Sequence, residues 1–237
     1  MAVLETSGSN PDVGLLRDIN GLAESTPRWL DLTLGFVGEY GLLAAMVLLV
    51  LWCWITVRRV ADPEGAVAAV LWAPLAALGA LLVNIPIRGF VGRPRPFVEQ
   101  DGIAVLGDEP SGYSFVSDHA TLAMALGVGL FVAHRKFGLV AIGLAMVEGL
   151  LRVFLGVHYP TDVIGGFALG TAVTLLLAPL AMALLTPLTR AVSRSRRLGW
   201  LVRARPVAGA VELPEPRAAA TAGSAGSAGS GGKDLAA

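Results

Sequence analysis

The chain has 237 residues, of which 54% are hydrophobic and 15% charged, and its mean hydropathy is +0.67. That is too apolar for a soluble domain and points to a polytopic membrane protein. Lys and Arg number 18, as do Asp and Glu, so net charge selects no partner; the one cysteine, Cys53, sits in an apolar run and excludes a disulfide framework or a thiolate metal site.

The N-terminus has no basic region followed by an apolar stretch, so no cleavable signal is expected and an internal span serves for insertion. Residues 12–35 mix Leu15, Leu16, Ile19 and Leu22 with Arg17, Asp18, Glu24 and Asp31, which predicts an amphipathic helix at the membrane interface rather than a span. Five apolar runs follow: Tyr40 to Val57, Ala66 to Ile87, a third from His119 to His134, Phe137 to Leu155, and Asp162 to Leu188. Each approaches the roughly 20 residues that cross a bilayer as a helix. Residues 97–114 are polar and turn-rich and read as a loop. The expected fold is therefore an all-α membrane helix bundle of about five spans, occupying 36–205 after an N-terminal segment 1–35; a sixth span built from that segment is the alternative. The Ala/Gly/Ser-rich stretch 206–237 reads as a disordered tail. Gly166 and Gly170, four apart in the last run, form a close-packing face.

Arg58-Arg59, Arg135-Lys136 and the Arg-rich segment after Leu188 mark the ends of spans one, three and five. The positive-inside rule makes those ends, and the tail, cytoplasmic. Three polar islands then converge on the extracytoplasmic face: Arg88 to Pro96, Ser117-Asp118-His119, and Arg152 to Asp162.

Their residue types suit phosphate chemistry. Guanidinium forks at Arg88, Arg95 and Arg152 pair with phosphate oxygens and stabilise a trigonal-bipyramidal transition state. Pro94 and Pro96 break the second span, so Arg95 is expected on an extended segment, whereas Arg93 reads as snorkelling toward headgroups. Asp162, four residues after His158, can accept the proton of one ring nitrogen and free the other to attack, the alternative being a structural hydrogen bond at a helix start. His119, in the first turn of the third span, can protonate a leaving oxygen or be an interfacial histidine with no role. An unpaired Arg152 at mid-membrane costs roughly 2.5 kcal/mol or more. Glu148, one turn earlier, either neutralises it or orients it toward phosphate, and both readings combine.

Arg88-x6-Arg95-Pro96, then Ser117-x-His119, then Arg152-x5-His158-x3-Asp162, in this order and spacing, resemble the motifs of the type 2 phosphatidic acid phosphatase superfamily. The resemblance implies a phosphatase that needs no metal or cofactor, with His158 as nucleophile, Asp162 orienting it, His119 as proton donor, and Arg88, Arg95, Ser117 and Arg152 binding the phosphoryl group. This chain departs from the pattern with Arg88 for Lys, Val116 for Pro, Asp118 for Gly and Leu151 for Ser. Asp118 adds a carboxylate that either pairs with an Arg or raises the demand on His119. Ser-Asp-His, Gly156 to Asp162, and Ile19 to Ala23 before the first span look like the bacterial undecaprenyl-diphosphate phosphatases of that superfamily. The implied partners are a lipid phosphate or diphosphate and the bilayer, with no nucleic acid. Another lipid phosphate, such as phosphatidic acid, phosphatidylglycerol phosphate or a polyprenyl-phosphoribose phosphate, and an inactive lipid-phosphate binder or transporter, are the alternatives.

Overall fold

The computed structural model describes residues 10–107 and 109–204, so the expected 206–237 tail lies outside the described residues. Among these, the elements are all helical. The segment 12–35 is divided in two. Helix α1 (Pro11–Gly21) is short; Asn10 accepts from Asp12 N–H at its start, and Leu16 is its buried apolar anchor. After a 3₁₀ turn, α2 (Arg28–Phe36) runs through a π turn (Val37–Gly41) into α3 (Leu42–Val57). Residues 28–35 thus belong to the first spanning helix, Arg28–Val57, and the boundary expected at 35/36 moves back to Pro27, the N-cap. The reason is continuity: nothing between Pro27 and Arg58 breaks a helix, and 30 residues at ~1.5 Å each overreach the ~30 Å hydrocarbon core. Its upper turns can therefore carry charge outside the lipid tails.

Helix α4 (Pro63–Val91) starts at Asp62, whose carboxylate accepts from Gly65 N–H, and ends at Gly92 in the left-handed region, φ 61°. Arg88 thus lies inside the helix and Arg93 just outside it. Arg95 is extended (φ −76°, ψ 155°), as the flanking prolines dictate, and caps the one-turn α5 (Pro96–Glu99). Helices α6 (Asp118–Ala133), α7 (Arg135–Phe154) and α8 (Pro160–Ser193) complete the bundle. By length and composition, Arg28–Val57, Pro63–Glu99, Arg135–Phe154 and Pro160–Ser193 can cross a membrane.

At 16 residues α6 is the shorter apolar helix and also the innermost one, with Ala120, Thr121 and an unbroken run from Ala123 to Leu130 buried. A short helix is tolerated there because its ends are covered by protein, not lipid. Small residues let its neighbours close in. A Cβ on Gly129 would meet the Ala73 backbone of α4 at 2.6 Å, and one on Gly170 of α8 would stand 2.5 Å from the Thr121 carbonyl oxygen and 3.0 Å from Ala125 N. Gly166 presses likewise on Ser117 O at 2.9 Å, so the Gly166/Gly170 pair is a packing face against α6. Without a hydrophobic drive between helices in lipid, such close approach supplies the dispersion contacts that hold a bundle.

Candidate active site

The last helix begins the site. Pro160 occupies the first turn of α8, and Asp162, fully buried, accepts from Tyr159 N–H at 2.9 Å, closing the helix start. The same Oδ2 accepts from the Ser114 hydroxyl and lies 3.6 Å from His158 Nδ1. Nδ1 is buried and has no other partner among the described residues. The expected His158–Asp162 pair is in contact, its 3.6 Å separation slightly long for a hydrogen bond. The opposite ring nitrogen, Nε2, faces Arg95 Nη1 at 3.5 Å.

Arg95 is 5% exposed and is held by backbone carbonyls: Val157 at 3.1 Å, Gly112 at 3.2 Å and Ser111 at 3.4 Å. No carboxylate among the described residues bonds it, so its charge is available to an incoming anion. Burial pushes His158 below its ordinary value of 6.5, partly opposed by Asp162 and reinforced by Arg95, which keeps the ring neutral. Tyr159, whose hydroxyl donates to Glu99 at 2.8 Å, is pushed up to about 12 by burial and that carboxylate, so it stays a neutral phenol.

Ser117 caps α6: its hydroxyl accepts from Ala120 N–H at 3.4 Å, and its own N–H donates to the Asp162 carbonyl at 3.1 Å. This bond fixes the start of α6, and with it His119, to the start of α8. The other two arginines of the candidate cradle are paired with acids. Arg88 pairs with Asp118, which also accepts from Asn84 at 2.7 Å. Of the two readings of Asp118, the structure therefore has the pairing with an arginine. Arg152, 3% exposed, donates to Glu148 at 2.8 Å, to Glu39 at 2.9 Å and to the Gly38 carbonyl. Glu39 in turn lies 3.7 Å from His119 Nε2. All three islands thus meet at one end of the bundle, while Arg58, Glu64 and Arg203 gather at the opposite end of the same helices.

A family model described as the PAP2 superfamily matches residues 66–186, about half of the chain and the stretch holding all three islands. The chain belongs to the PAP2 superfamily. It is a membrane phosphatase, a phosphoric ester hydrolase, and the family expected from the motifs is the one found. The undecaprenyl-diphosphatase BcrC of Bacillus subtilis is 30% identical over 152 residues, 64% of this chain and 74% of that protein. The decaprenylphosphoryl-5-phosphoribose phosphatase of Mycobacterium tuberculosis is 40% identical over 98 residues, covering 41% of this chain and 52% of the other. The crystal structure of Aquifex aeolicus LpxE superposes with a TM-score of 0.54 at 21% identity, over 75% of this chain and 99% of that one, and shows the shared membrane fold.

Several residues around the candidate site were invisible to motif spacing. Arg93 does not snorkel. It donates to Asp162 Oδ1 at 2.9 Å, to Asp12 at 2.7 Å and to Thr161 at 2.8 Å, and its guanidinium lies 3.7 Å over the Tyr159 ring. A fully buried carboxylate two oxygens wide needs such a partner more than a headgroup does. Asp12 also accepts from Thr161 N–H at 3.0 Å, so α1 caps α8 from outside. Asn20 ties the 97–114 loop to the end of α7 through the Ala104 and Phe154 carbonyls, each at 2.8 Å. Glu39 had one available signal: it is the sole charged residue between Asp31 and Arg58.

Proposed function

We propose that the chain removes the terminal phosphate of a polyprenyl diphosphate, undecaprenyl diphosphate above all, on the outer face of a cytoplasmic membrane, and so recycles a carrier lipid for cell-wall synthesis. The observation that carries this reading is the pair formed by His158 Nε2 and Arg95: a neutral buried nucleophile with a carboxylate behind it and an uncompensated guanidinium 3.5 Å in front.

On this reading Nε2 attacks the terminal phosphorus. The N–P bond forms as the bond to the bridging oxygen breaks, and His119 gives that oxygen its proton, releasing the prenyl monophosphate. Water then attacks the phosphohistidine, His119 takes the water's proton, and inorganic phosphate leaves with His158 restored. Asp162 holds the Nδ1 proton throughout. Arg95, Arg88, Arg152 and the Ser117 hydroxyl stabilise the charge on the equatorial oxygens. Asp118 and Glu148 act through the arginines they pair with. Exposed Leu32, Phe36 and Tyr40 on the first spanning helix offer the bilayer an apolar flank beside the site, suited to a substrate whose tail stays in lipid. The likeness to BcrC over most of that protein's length supports the diphosphate, and the basic residues at the far ends of the spans support the orientation.

The test is phosphate release from a panel of lipid mono- and diphosphates by purified protein in detergent with chelator. Undecaprenyl diphosphate should turn over fastest and His158→Ala should be silent. Preference for a polyprenyl-phosphoribose phosphate or phosphatidic acid would move the substrate within the class, and full turnover by His158→Ala would remove the nucleophile.

A further inference from the structure

Arg152 carries more negative charge than it needs. Glu148, fully buried one turn away on the same helix, neutralises it at 2.8 Å. Glu39 adds a second carboxylate at 2.9 Å, delivered from another helix together with the Gly38 carbonyl. Both acceptors sit on the π turn Val37–Gly41, an irregularity in a spanning helix of the sort found at functional sites. Gly38 permits the approach: a Cβ there would stand 3.1 Å from Leu155 Cδ1.

The Glu39 carboxylate is a planar pair of oxygens, one 2.9 Å from Arg152 Nη1 and the other 3.7 Å from His119 Nε2. Those two groups are the ones assigned to hold a phosphoryl oxygen and to protonate the leaving oxygen. The carboxylate therefore stands where one phosphoryl oxygen and the leaving oxygen of the substrate belong. Glu148 cannot leave, being sealed in the bundle. Glu39 can, because its side chain is 43% exposed and borders a cavity of about 330 Å³ lined also by Arg28, Tyr40 and Leu106.

We propose that Glu39 is a displaceable internal anion, a positioning residue that occupies the phosphate seat between Arg152 and His119, yields it to the substrate's phosphoryl group, and returns to expel inorganic phosphate. This rests on the reading that Arg152 and His119 face the transferred phosphoryl group. Substrate binding is then an exchange of one anion for another, and the returning carboxylate repels a product phosphate that would otherwise stay paired with Arg88, Arg95 and Arg152.

Glu39→Gln keeps the shape and one hydrogen bond but removes the charge. Inorganic phosphate should bind this variant at least tenfold more tightly than wild type, by titration calorimetry and as an inhibitor. KM and kcat for the lipid diphosphate should fall together, KM because the competing anion is gone and kcat because phosphate leaves slowly. A purely structural role would instead raise KM or weaken phosphate binding. Equal or weaker phosphate binding by Glu39→Gln overturns the proposal and leaves the phosphatase reading intact. A wild type that hydrolyses no lipid phosphate overturns that reading, while tighter phosphate in the variant still sustains Glu39 as the occupant of an anion seat. If neither protein binds phosphate, the proposal fails. Glu39→Asp, one methylene shorter and still charged, covers the case in which the Gln variant does not fold. It should reach Arg152 less well and tighten phosphate by a smaller factor, about two- to threefold, and unchanged affinity overturns the proposal.

Discussion

Arg93→Ala separates a side chain that snorkels from one that holds the buried Asp162 carboxylate. The substitution removes three hydrogen bonds of 2.7–2.9 Å and the stack on Tyr159, and leaves Asp162 Oδ1 buried without its donor. Deleting one partner of a fully buried ion pair costs about 3–5 kcal/mol. Here the arginine keeps 23% exposure, and Asp162 retains the Ser114 hydroxyl and Tyr159 N–H, so the expected loss is about 2 kcal/mol. For a chain of this size that lowers Tm by about 4–8 °C. Asp162 is also freed to reorient, which misplaces His158, and kcat should drop between about tenfold and a hundredfold. Arg93→Lys, able to reach one acceptor at a time, should fall between the two. Thermal unfolding in detergent and phosphate release on the same preparations measure both effects. Arg93→Ala with the wild-type Tm and wild-type kcat would refute the argument and return Arg93 to the headgroups.

Gly170→Leu should overpack the α6–α8 contact, where even a Cβ meets Thr121 O at 2.5 Å; it should cost about 1–3 kcal/mol or more and abolish activity by parting His119 from His158, whereas Gly143→Ala, with nothing within 4 Å, should leave both unchanged. Paired unfolding curves and turnover assays check the contrast. The depressed proton affinity of buried His158 also sets a slope: the unfolded chain takes up its proton near 6.5 and the folded chain only at lower pH, so this residue's contribution is full above 6.5 and is lost as pH falls below it. Unfolding temperatures of wild type and His158→Gln between pH 5 and 8 should therefore keep a constant offset above 6.5 and shift in favour of the variant below it, and curves parallel throughout would remove the effect.

The site was legible where chemistry repeats at short spacing. His158 and Asp162 share one helix start, Arg88 and Arg95 flank one break, and Ser117 caps the helix that bears His119, so short spacing predicts which residues lie together, while the roles proposed for them rest on the family resemblance as well. Apolar run lengths likewise give the helices, because in lipid a backbone has few other ways to satisfy itself. What escaped was tertiary. Arg93 and Arg95 are two residues apart and of one type, and only the fold sends one to a carboxylate and the other to carbonyls. Asp12 reaches Thr161 across 149 positions, and Glu39 reaches Arg152 across 113. The 97–114 loop reads as a mere connection, yet Ser111 and Gly112 hold Arg95 and Ser114 holds Asp162. The start of the first spanning helix escaped for a different reason: charges at Arg28 and Asp31 look interfacial when the helix is longer than the membrane is thick.

The pairing of Arg152 with Glu148 bears on how the protein is made. The two lie on one turn of α7, so they can neutralise each other as soon as that turn forms, before any other helix arrives. A lone arginine at the centre of a spanning segment costs roughly 2.5–3.5 kcal/mol to insert, an upper bound for Arg152 in the last turn of α7. Beyond Arg135 and Lys136 at its start, helix α7 carries its own counter-charge, so the stretch from Phe137 to Phe154 can enter the bilayer with no net charge, independent of the order in which its neighbours are threaded. The partner contributed by the first span is then left free for the working life of the folded protein.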